Sequence, residues 1–246
     1  MKKGFIRAGA ALLVLALLLS FLVMRRGWEE AVPADASVDT EDIVPLIALT
    51  FDDGPRRDTT TKLLDGLAQR GVPATFFLIG EQLIGNEDIV RRMDEAGHQI
   101  GIHTYDHVML SGLNQADFDA QVDKTRQMLK NILGHNDFLL RPPYGFYDEG
   151  VQAKADCPII LWSIDPEDWG DKNAVRIVRH IADSAADGAI ILLHDFYGNS
   201  ATVEALKTII PELKERGYQF VTVSELFEAK GKEISGDDTN LYSVVK

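Results

Sequence analysis

The stretch Leu49-Thr50-Phe51-Asp52-Asp53-Gly54-Pro55 is the feature around which the rest of the sequence is organised. It continues the apolar run Ile43 to Ala48, so two adjacent carboxylates stand where a buried strand ends. Two ionised side chains at the edge of a core repel each other and lose hydration, which is costly unless a cation or a proton offsets the charge. Gly54-Pro55 then turns the chain and fixes both carboxylates on a short loop. Taken alone, the pattern favours an acidic turn after a strand over a catalytic site.

From Pro45 onward, short apolar runs alternate with longer amphipathic segments. The apolar runs predict strands at Pro45–Phe51, Ala74–Ile79, Gln99–His103, Phe138–Arg141, Ile159–Ile164, Ala189–His194 and Gln219–Val223. The amphipathic segments predict helices at Thr59–Arg70, Asn86–Ala96, Asn114–Leu133, Ala174–Ala186 and Ala201–Arg216. Strands that alternate with helices form parallel sheets with right-handed crossovers, so we expect an α/β fold. About seven parallel strands favour a distorted (β/α) barrel, short of the regular eight-fold kind.

An N-terminal segment before this pattern predicts one transmembrane helix. Three basic residues precede an uncharged run, Ala8 to Met24, which Arg25 and Arg26 close. Seventeen residues at about 1.5 Å each reach about 25 Å, the short end of a membrane span. Because no small-x-small cleavage site follows the run directly, the pattern favours an uncleaved signal anchor over a cleaved signal peptide.

We therefore expect four segments: a signal anchor at 1–26 with its span at about 8–24, an acidic stalk at 27–44, the α/β domain at 45–229 and a polar tail at 230–246. Positive charge is slightly greater before the span than after it, which favours a cytoplasmic N-terminus. The domain would then be extracytoplasmic and membrane-anchored, or secreted if the N-terminal segment is cleaved.

Composition limits the partners of this domain. The first 26 residues contain five basic side chains and no acidic one. Residues 27–246 therefore contain 20 basic and 38 acidic side chains, a net charge of −18. Such a domain should bind neither nucleic acid nor an anionic lipid surface through charge. The single cysteine, Cys157, excludes an internal disulfide and a multi-cysteine zinc site. Since no glycine-rich phosphate-binding motif follows a strand, we expect no nucleotide cofactor.

The predicted third strand runs into a pair of histidines, His103 and His107. In a parallel barrel, the loops at the carboxyl ends of the strands converge on one face, so this pair should lie near Asp52-Asp53. One carboxylate and two imidazoles form a three-ligand set typical of a catalytic divalent metal site. The other aspartate would stay free to accept a proton from bound water. The alternative is a solvated loop with two incidental histidines.

Three more polar clusters end predicted strands. Arg141 could keep a buried carboxylate ionised, and the proline-stiffened loop after it could hold the Tyr144 N–H towards a developing oxyanion. His194 closes a hydrophobic strand, and a carboxylate such as Asp165 would raise its pKa and keep it protonated as a general acid. Each cluster alone also has a purely structural interpretation: a proline-bounded loop, a surface arginine or a core histidine. Chance alone does not explain why every one of these clusters ends a predicted strand.

Taken in order, these clusters resemble the five motifs of the polysaccharide deacetylases, carbohydrate esterase family 4 or the NodB-homology domain. The resemblance covers about residues 45–225 and rests on Thr50-Phe51-Asp52-Asp53-Gly54-Pro55, His103-Thr104-x-x-His107, Arg141-Pro142-Pro143-Tyr144, Asp165-x-x-Asp168-Trp169 and Leu192-x-His194. It implies a distorted barrel and hydrolysis of N-acetyl groups on N-acetylhexosamine units of a glycan, with release of acetate. It also implies that a metal, ordinarily zinc with cobalt or nickel as substitutes, is bound by Asp53, His103 and His107.

The same resemblance implies the catalytic roles. Asp52 would be the base, steadied by Arg141. His194 would protonate the leaving amine, steadied by Asp165.

The resemblance further implies that the backbone N–H of Tyr144 stabilises the oxyanion, while Trp169 and Leu192 shape the pocket for the acetyl methyl group. Three alternatives stay open. The same fold could cleave another amide or an O-acetyl ester, because substrate choice lies in the loops. The site could belong to a two-His-one-carboxylate iron oxygenase. The domain could also be a non-catalytic glycan-binding module.

Overall fold

The computed structural model describes residues 44–232, 234, 241–243 and 245. Its strands are β1 (Leu46–Asp52), β2 (Thr75–Leu78), β3 (Gln99–Ile102), β4 (Leu139–Leu140), β5 (Ile159–Ile160), β6 (Ala189–His194), β7 (Gln219–Phe220) and β8 (Leu241–Tyr242). Its helices are α1 (Thr60–Arg70), α2 (Gly80–Leu83), α3 (Glu87–Glu95), α4 (Gln115–Leu133), α5 (Glu149–Lys154), α6 (Ala174–Ser184), α7 (Ser200–Glu215) and α8 (Val223–Ala229), with a 3₁₀ turn at Pro143–Gly145.

All described strand pairs are parallel and form one curled sheet. The strand order is β6-β1-β2-β3-β4-β5-β8, and β7 pairs with the first residues of β1. A parallel bridge between Ile164 and Ile191 joins the chain after β5 to β6, the strand at the opposite end of that order. The seven predicted strands are therefore confirmed, and so is the parallel α/β architecture expected of a (β/α) barrel.

Alternation along β1 divides its side chains between two buried faces. Ile47, Leu49 and Phe51 belong to the larger apolar cluster, which also contains the buried faces of α1, α3, α4 and α7. Ala48 belongs to a second, smaller cluster with Phe77 and residues of α8. Successive residues of a strand point to opposite faces, so Asp52 shares the face of Ala48. The strand thus ends with a carboxylate on the inner face of the curled sheet.

Five predicted helices are confirmed, and three short helices were not predicted: α2, α5 and α8. Each has seven residues or fewer, too few for a 3.6-residue periodicity to show in the sequence. Within the predicted polar tail, β8 pairs with β5 and Val245 is fully buried. This pairing joins residues about 80 positions apart, which local periodicity does not reveal.

The predicted signal anchor at 1–26 and residues 27–43 of the predicted stalk lie outside the described residues. Among the residues that are described, no helix combines the length and the apolar character needed to cross a membrane.

Candidate active site

Asp52 and His194 end two adjacent strands and lie side by side. They are register partners in the β1–β6 pairing, and the N–H of Asp195 continues this ladder by donating to the carbonyl of Asp52 (2.9 Å). Parallel pairing brings the carboxyl ends of β1, β3, β4 and β6 to one edge of the sheet, so the loops that follow them share one face. The predicted polar clusters meet there.

Asp53, His103 and His107 form a set of three potential metal ligands. One ligand atom from each lies within 4.8 Å of the other two, and no other such cluster occurs among the described residues. The Oδ1 atom of Asp53 lies 3.6 Å from Nε2 of His103 and 3.3 Å from Nε2 of His107. This oxygen is buried and has no hydrogen-bond partner within the described chain, as expected of an atom meant for a cation.

The groups around His103 and His107 favour metal binding by both histidines. Nδ1 of His103 lies 2.7 Å from the carbonyl oxygen of Arg141, which can only accept, so Nδ1 carries the proton and Nε2 presents its lone pair. Burial and the neighbouring His103 lower the pKa of His107, against the opposing charges of Asp53 and Asp52. A lowered pKa favours the neutral imidazole that a metal requires. The donor set therefore fits a divalent metal.

The loops around this set carry unusual backbone angles. Five non-glycine residues in the described chain have a positive φ, and all lie in these loops: Asp53, Thr104, His107, Tyr144 and Glu167. A non-glycine residue in this conformation costs on the order of 1–3 kcal/mol and persists only where its surroundings impose it. The loop with the histidines is anchored by the first N–H groups of α2, since Gly80 and Glu81 donate to the carbonyls of Thr104 and Tyr105.

Asp52 is paired with Arg141, as predicted. Nη1 of Arg141 donates to Oδ1 of Asp52 (2.8 Å) and to the hydroxyl of Thr50 (2.7 Å), and both charged side chains are almost fully buried. The remaining guanidinium donors bind the carbonyls of Ile160 and Leu161. Oδ2 of Asp52 lies 3.7 Å from Nε2 of His103, so one carboxylate oxygen is held by arginine and the other faces the ligand set.

The carboxylate beside His194 is Asp168, and the prediction of Asp165 was wrong. Oδ1 of Asp168 lies 2.7 Å from Nδ1 of His194, and Oδ2 accepts from the backbone N–H of the same histidine (2.9 Å). Asp168 is fully buried and also accepts from Asn199 and Thr202. The carboxylate of Asp165 instead accepts a hydrogen bond from the N–H of Glu167 (2.8 Å) and stabilises the turn in which it lies.

This pairing sets the charge of His194. Burial lowers its pKa, but the hydrogen bond and charge of Asp168, with the charges of Asp52 and Asp53, outweigh burial and raise the pKa to about 9. The imidazole is therefore protonated at neutral pH. With Nδ1–H held by Asp168, the Nε2–H remains available to protonate a leaving group.

The predicted pocket residues take different positions. The ring of Tyr144 packs edge-on against His107, with 4.8 Å between ring centroids, so this residue borders the ligand set. Leu192 is buried in β6, two residues before His194. Trp169 is 57% exposed in the loop after Asp168. The acetyl-pocket role of Trp169 and Leu192 and the oxyanion role of the Tyr144 N–H stay predictions.

Sequence reasoning gave no role to Asp195, although this residue follows His194 directly. Its side chain is fully buried and accepts a short hydrogen bond from the hydroxyl of Thr60. Burial raises its pKa to about 7, against the effect of the Thr60 hydrogen bond. The sequence did contain a signal for this residue: a carboxylate that directly follows a histidine at the end of a strand.

Exposed rings also lie in the loops around the ligand set. Tyr144, Phe146, Tyr147, Trp169 and Tyr197 all project from loops that follow β4, β5 and β6, and each is at least 44% exposed. We call these five residues the aromatic rim. The rings of Tyr144 and Phe146 lie 6.3 Å apart, so this part of the rim is continuous with His107. Exposed apolar surface grouped beside a polar centre commonly marks a binding site.

Comparisons with known proteins agree with these features. A family model described as polysaccharide deacetylase matches residues 40–159. A peptidoglycan-N-acetylglucosamine deacetylase of Bacillus cereus is 39% identical over 192 residues, which cover 75% of this chain and 89% of that protein. The peptidoglycan-N-acetylglucosamine deacetylase PgdA of Listeria monocytogenes is 40% identical over 184 residues, covering 75% of this chain but only 39% of the relative. The chain thus spans about two fifths of the length of that relative.

A solved structure extends the similarity to the whole fold. The family 4 acetyl xylan esterase from Clostridium thermocellum, determined in complex with a cobalt ion, superposes with a TM-score of 0.78 at 33% identity. The match covers 81% of this chain and 98% of that structure.

Proposed function

The chain belongs to the polysaccharide deacetylase family, and we propose that it is a metal-dependent hydrolase that removes N-acetyl groups from N-acetylhexosamine units of a cell-wall or surface glycan and releases acetate. One observation carries the proposal: the three-ligand set lies at the same edge of the sheet as two buried charge pairs, Asp52–Arg141 and His194–Asp168. A carboxylate that can accept a proton and an imidazolium that can donate one, beside one metal centre, are what amide hydrolysis needs.

The metal would be held by Asp53, His103 and His107, and zinc is our first choice, with cobalt or nickel as substitutes. When bound, it would polarise the acetyl carbonyl and lower the pKa of a water molecule. Two imidazoles and a carboxylate are ligands that suit these metals. The cobalt ion in the similar esterase structure supports the proposal.

The acid–base steps are assigned to residues of this chain. Oδ2 of Asp52 accepts the proton of the attacking water, while Arg141 keeps the carboxylate oriented through Oδ1. The N–H of Tyr144 would donate to the oxyanion that forms when water adds to the carbonyl carbon. The Nε2–H of His194 then protonates the amide nitrogen, so that the C–N bond breaks to acetate and a free amine. Asp168 holds the imidazole through this transfer.

The aromatic rim and the charge of the domain support a glycan substrate. Sugar rings present apolar C–H faces that can pack against aromatic rings, and Tyr144 of the rim borders the ligand set. The strong negative charge disfavours polyanionic partners. N-acetylated peptidoglycan is the substrate class we favour, because the curated relatives named above are peptidoglycan-N-acetylglucosamine deacetylases.

We further propose that residues 8–24 anchor the protein in a membrane and that the domain acts outside the cytoplasm, where such glycans occur. The uncharged run flanked by basic residues supports this proposal. Cell fractionation with and without protease treatment of intact cells tests it, and a protein found only in the cytosolic fraction would refute it.

The function is tested by incubating the full chain in detergent with zinc and either N-acetylglucosamine oligomers or peptidoglycan, while acetate is assayed. We expect acetate release that a chelator abolishes and zinc restores. If no N-acetylated glycan yields acetate while the metal is bound at full occupancy, the proposal fails.

O-acetyl ester hydrolysis is the second candidate, favoured by the acetyl xylan esterase whose structure is similar. Acetylated xylan in the same assay separates the two. Higher kcat/KM on the ester than on every N-acetyl glycan would assign the chain to esters. The Asp52–Arg141 and His194–Asp168 pairs have no use in an iron oxygenase. Turnover that disappears in Asp52→Asn would exclude a non-catalytic glycan-binding module.

A further inference from the structure

Asp195 is a buried carboxyl group that the proposed reaction does not use. It is the first residue after β6, and its side chain is fully buried behind the loop that follows β1. Its Oδ2 accepts from Thr60, whereas Oδ1 is buried without a partner in the described chain. Burying a polar atom without a hydrogen bond costs stability, so the position of this carboxyl group requires an explanation.

The carboxyl group lies against Gly54, the residue directly after the proposed ligand Asp53. A Cβ atom at position 54 would come within 2.3 Å of Oδ2, 2.5 Å of Oδ1 and 2.7 Å of Cγ of Asp195. Gly54 does not have a positive φ, so glycine is needed here for space and not for its conformational freedom. Asp195 therefore occupies the volume that any other residue at position 54 would fill.

Thr60 connects the same carboxyl group to the far end of the loop. Its hydroxyl donates to Asp195 and accepts from the N–H of Arg56 (2.7 Å). The backbone carbonyls of the two residues that flank Asp53 also accept hydrogen bonds. The N–H of Asp195 donates to the carbonyl of Asp52, and the N–H of Ile79 donates to the carbonyl of Gly54 (2.9 Å each). The segment from Asp52 to Arg56 is thus fixed at both ends and packed in the middle.

Such fixation matters because Asp53 has a φ of 78°. An aspartate released from its surroundings would leave this conformation, and its carboxylate would then turn away from His103 and His107. A ligand set that is already in place binds metal more tightly than one that must be ordered on binding.

We propose that Asp195 is a positioning residue: together with Thr60, it holds the Asp53–Gly54 turn so that Asp53 faces His103 and His107, and it thereby sets the affinity for the metal. This inference rests on the proposed metal-dependent function. Asp195 takes no part in the acid–base steps.

Metal affinity of the full chain is the direct test, with Zn²⁺ measured by chelator competition and Co²⁺ by its visible absorption spectrum. Thr60→Ala and Asp195→Ala should each raise the Kd for Zn²⁺ at least ten-fold and alter the Co²⁺ spectrum. Thr60→Ser and Asp195→Asn keep a hydroxyl donor and a side-chain acceptor of similar shape, so they should restore most of the affinity. Because Asp195 does not touch the reacting atoms, excess Zn²⁺ should recover turnover in the alanine variants.

Thr59→Ala is the matched control. Thr59 is the buried neighbour of Thr60, and its hydroxyl donates to the carbonyl of Phe196 (3.0 Å), next to Asp195. The control loses one partly buried hydrogen bond to the same segment without touching the Asp53–Gly54 turn. We expect it to lower the Tm of the metal-free protein as Thr60→Ala does, with an unchanged Kd for Zn²⁺.

Several results would overturn the inference: a wild-type Kd in Thr60→Ala, an equal loss of affinity in Thr59→Ala, or turnover that saturating Zn²⁺ does not recover. The Thr60 variants decide the matter if Asp195→Ala does not fold. If the wild-type chain binds Zn²⁺ and releases acetate while the variants behave as wild type, only this inference fails. If the wild-type chain binds no metal, the proposed function fails with it.

Discussion

Asp52 and Asp53 are adjacent in the chain but have different partners, so their substitutions should separate metal binding from chemistry. Asp53→Ala removes a proposed ligand, and we expect both the affinity for Zn²⁺ and the turnover to fall at least 100-fold. Asp52→Asn removes the base but no ligand, so the Kd for Zn²⁺ should change by less than about five-fold while kcat falls by about 10²–10⁴. Calorimetric titration and acetate release measure the two quantities.

If both variants lost metal equally, the assignment of one carboxylate to the metal and the other to the proton would be wrong. Asp58→Ala provides a control for the loss of a carboxylate in the same loop. Its side chain accepts from the N–H of Gly198 and does not belong to the ligand set.

The His194–Asp168 pair predicts the alkaline limit of activity. A general acid must be protonated, and since the pKa of His194 is raised to about 9, activity should persist up to that pH and fall above it. Asp168→Asn removes the charge that holds the proton, so the alkaline limb of kcat/KM should move to lower pH by more than one unit. The pH profile of kcat/KM measures this shift.

Asp165→Asn is the control for that profile, because the hydrogen bond that Asp165 makes within the described chain is to its own turn. Its alkaline limb should coincide with that of the wild-type enzyme. A shift in Asp165→Asn with none in Asp168→Asn would restore the original sequence prediction.

The same pair shows how far the residues of a site can be read from sequence. His103, His107 and one aspartate of the Asp52-Asp53 pair followed from strand ends and a four-residue spacing. The family resemblance implied Asp53 as that aspartate, and the structure brings it together with both histidines. The choice between Asp165 and Asp168 could not be made from spacing, because both follow β5 by a few residues. A turn in which Asp165 bonds the N–H of Glu167 decides it, since that carboxylate is then engaged locally.

At the scale of elements, the loops after β4, β5 and β6 should determine how much of a glycan is bound. Phe146 is 54% exposed and Tyr197 is 76% exposed, and neither belongs to the proposed catalytic residues. Covering about 20–50 Å² of such a ring with a sugar face contributes about 0.5–1.3 kcal/mol at about 25 cal/mol per Å², so Phe146→Ala and Tyr197→Ala should each raise KM for an N-acetylglucosamine oligomer about two- to ten-fold. Steady-state kinetics on a series of oligomer lengths measures this effect.

Because the rings would contact sugars next to the reacting one, the increase in KM should be smaller for the shortest substrates that react. Val44→Ala removes an apolar side chain that is 49% exposed before β1, at the opposite end of the strands, and should leave KM unchanged. Equal effects of all three substitutions would show that the rim does not bind substrate.

Element prediction succeeded where the pattern was long and failed where it was short. β1 and β6 were found because each begins with a run of consecutive apolar residues, Leu46 to Leu49 and Ala189 to Leu193, whereas α2 has four residues and no visible period. Yet α2 matters to the site, since its first N–H groups anchor the loop that carries His103 and His107. Unsatisfied N–H groups at a helix start are available for such contacts, but the sequence does not indicate which carbonyls they will meet.

At the scale of the whole molecule, the C-terminal segment that contains β8 contacts two distant parts of the chain, β5 and the residue before β6. The N–H of Leu161 donates to Tyr242, and the N–H of Val245 donates to Gly188 (3.0 Å), directly before β6. The contact between Val245 and Gly188 lies at the end of β6 opposite to His194. The Val245 end of the segment should therefore support the stability of the domain without setting the geometry of the ligand set.

Gly188→Ala tests this division. Gly188 has a φ of 80°, and a Cβ there would come within 1.7 Å of the carbonyl oxygen of Val245, so alanine must both strain the backbone and displace the segment. The strain costs about 1–2 kcal/mol, and the displacement should add about 1–3 kcal/mol, as overpacking in a core does. Urea unfolding of the metal-free protein measures the loss, while the Kd for Zn²⁺ should stay within about two-fold of the wild-type value.

Gly217→Ala isolates the contribution of the C-terminal contact. Gly217 also has a positive φ (88°), but a Cβ there would meet nothing within 4 Å, so this variant carries the backbone strain alone. The difference in unfolding free energy between the two variants then measures the contact between Gly188 and Val245. Equal losses would show that the Gly188–Val245 contact contributes nothing to stability, and a large rise in the Kd for Zn²⁺ in Gly188→Ala alone would show that the two ends of the sheet are coupled.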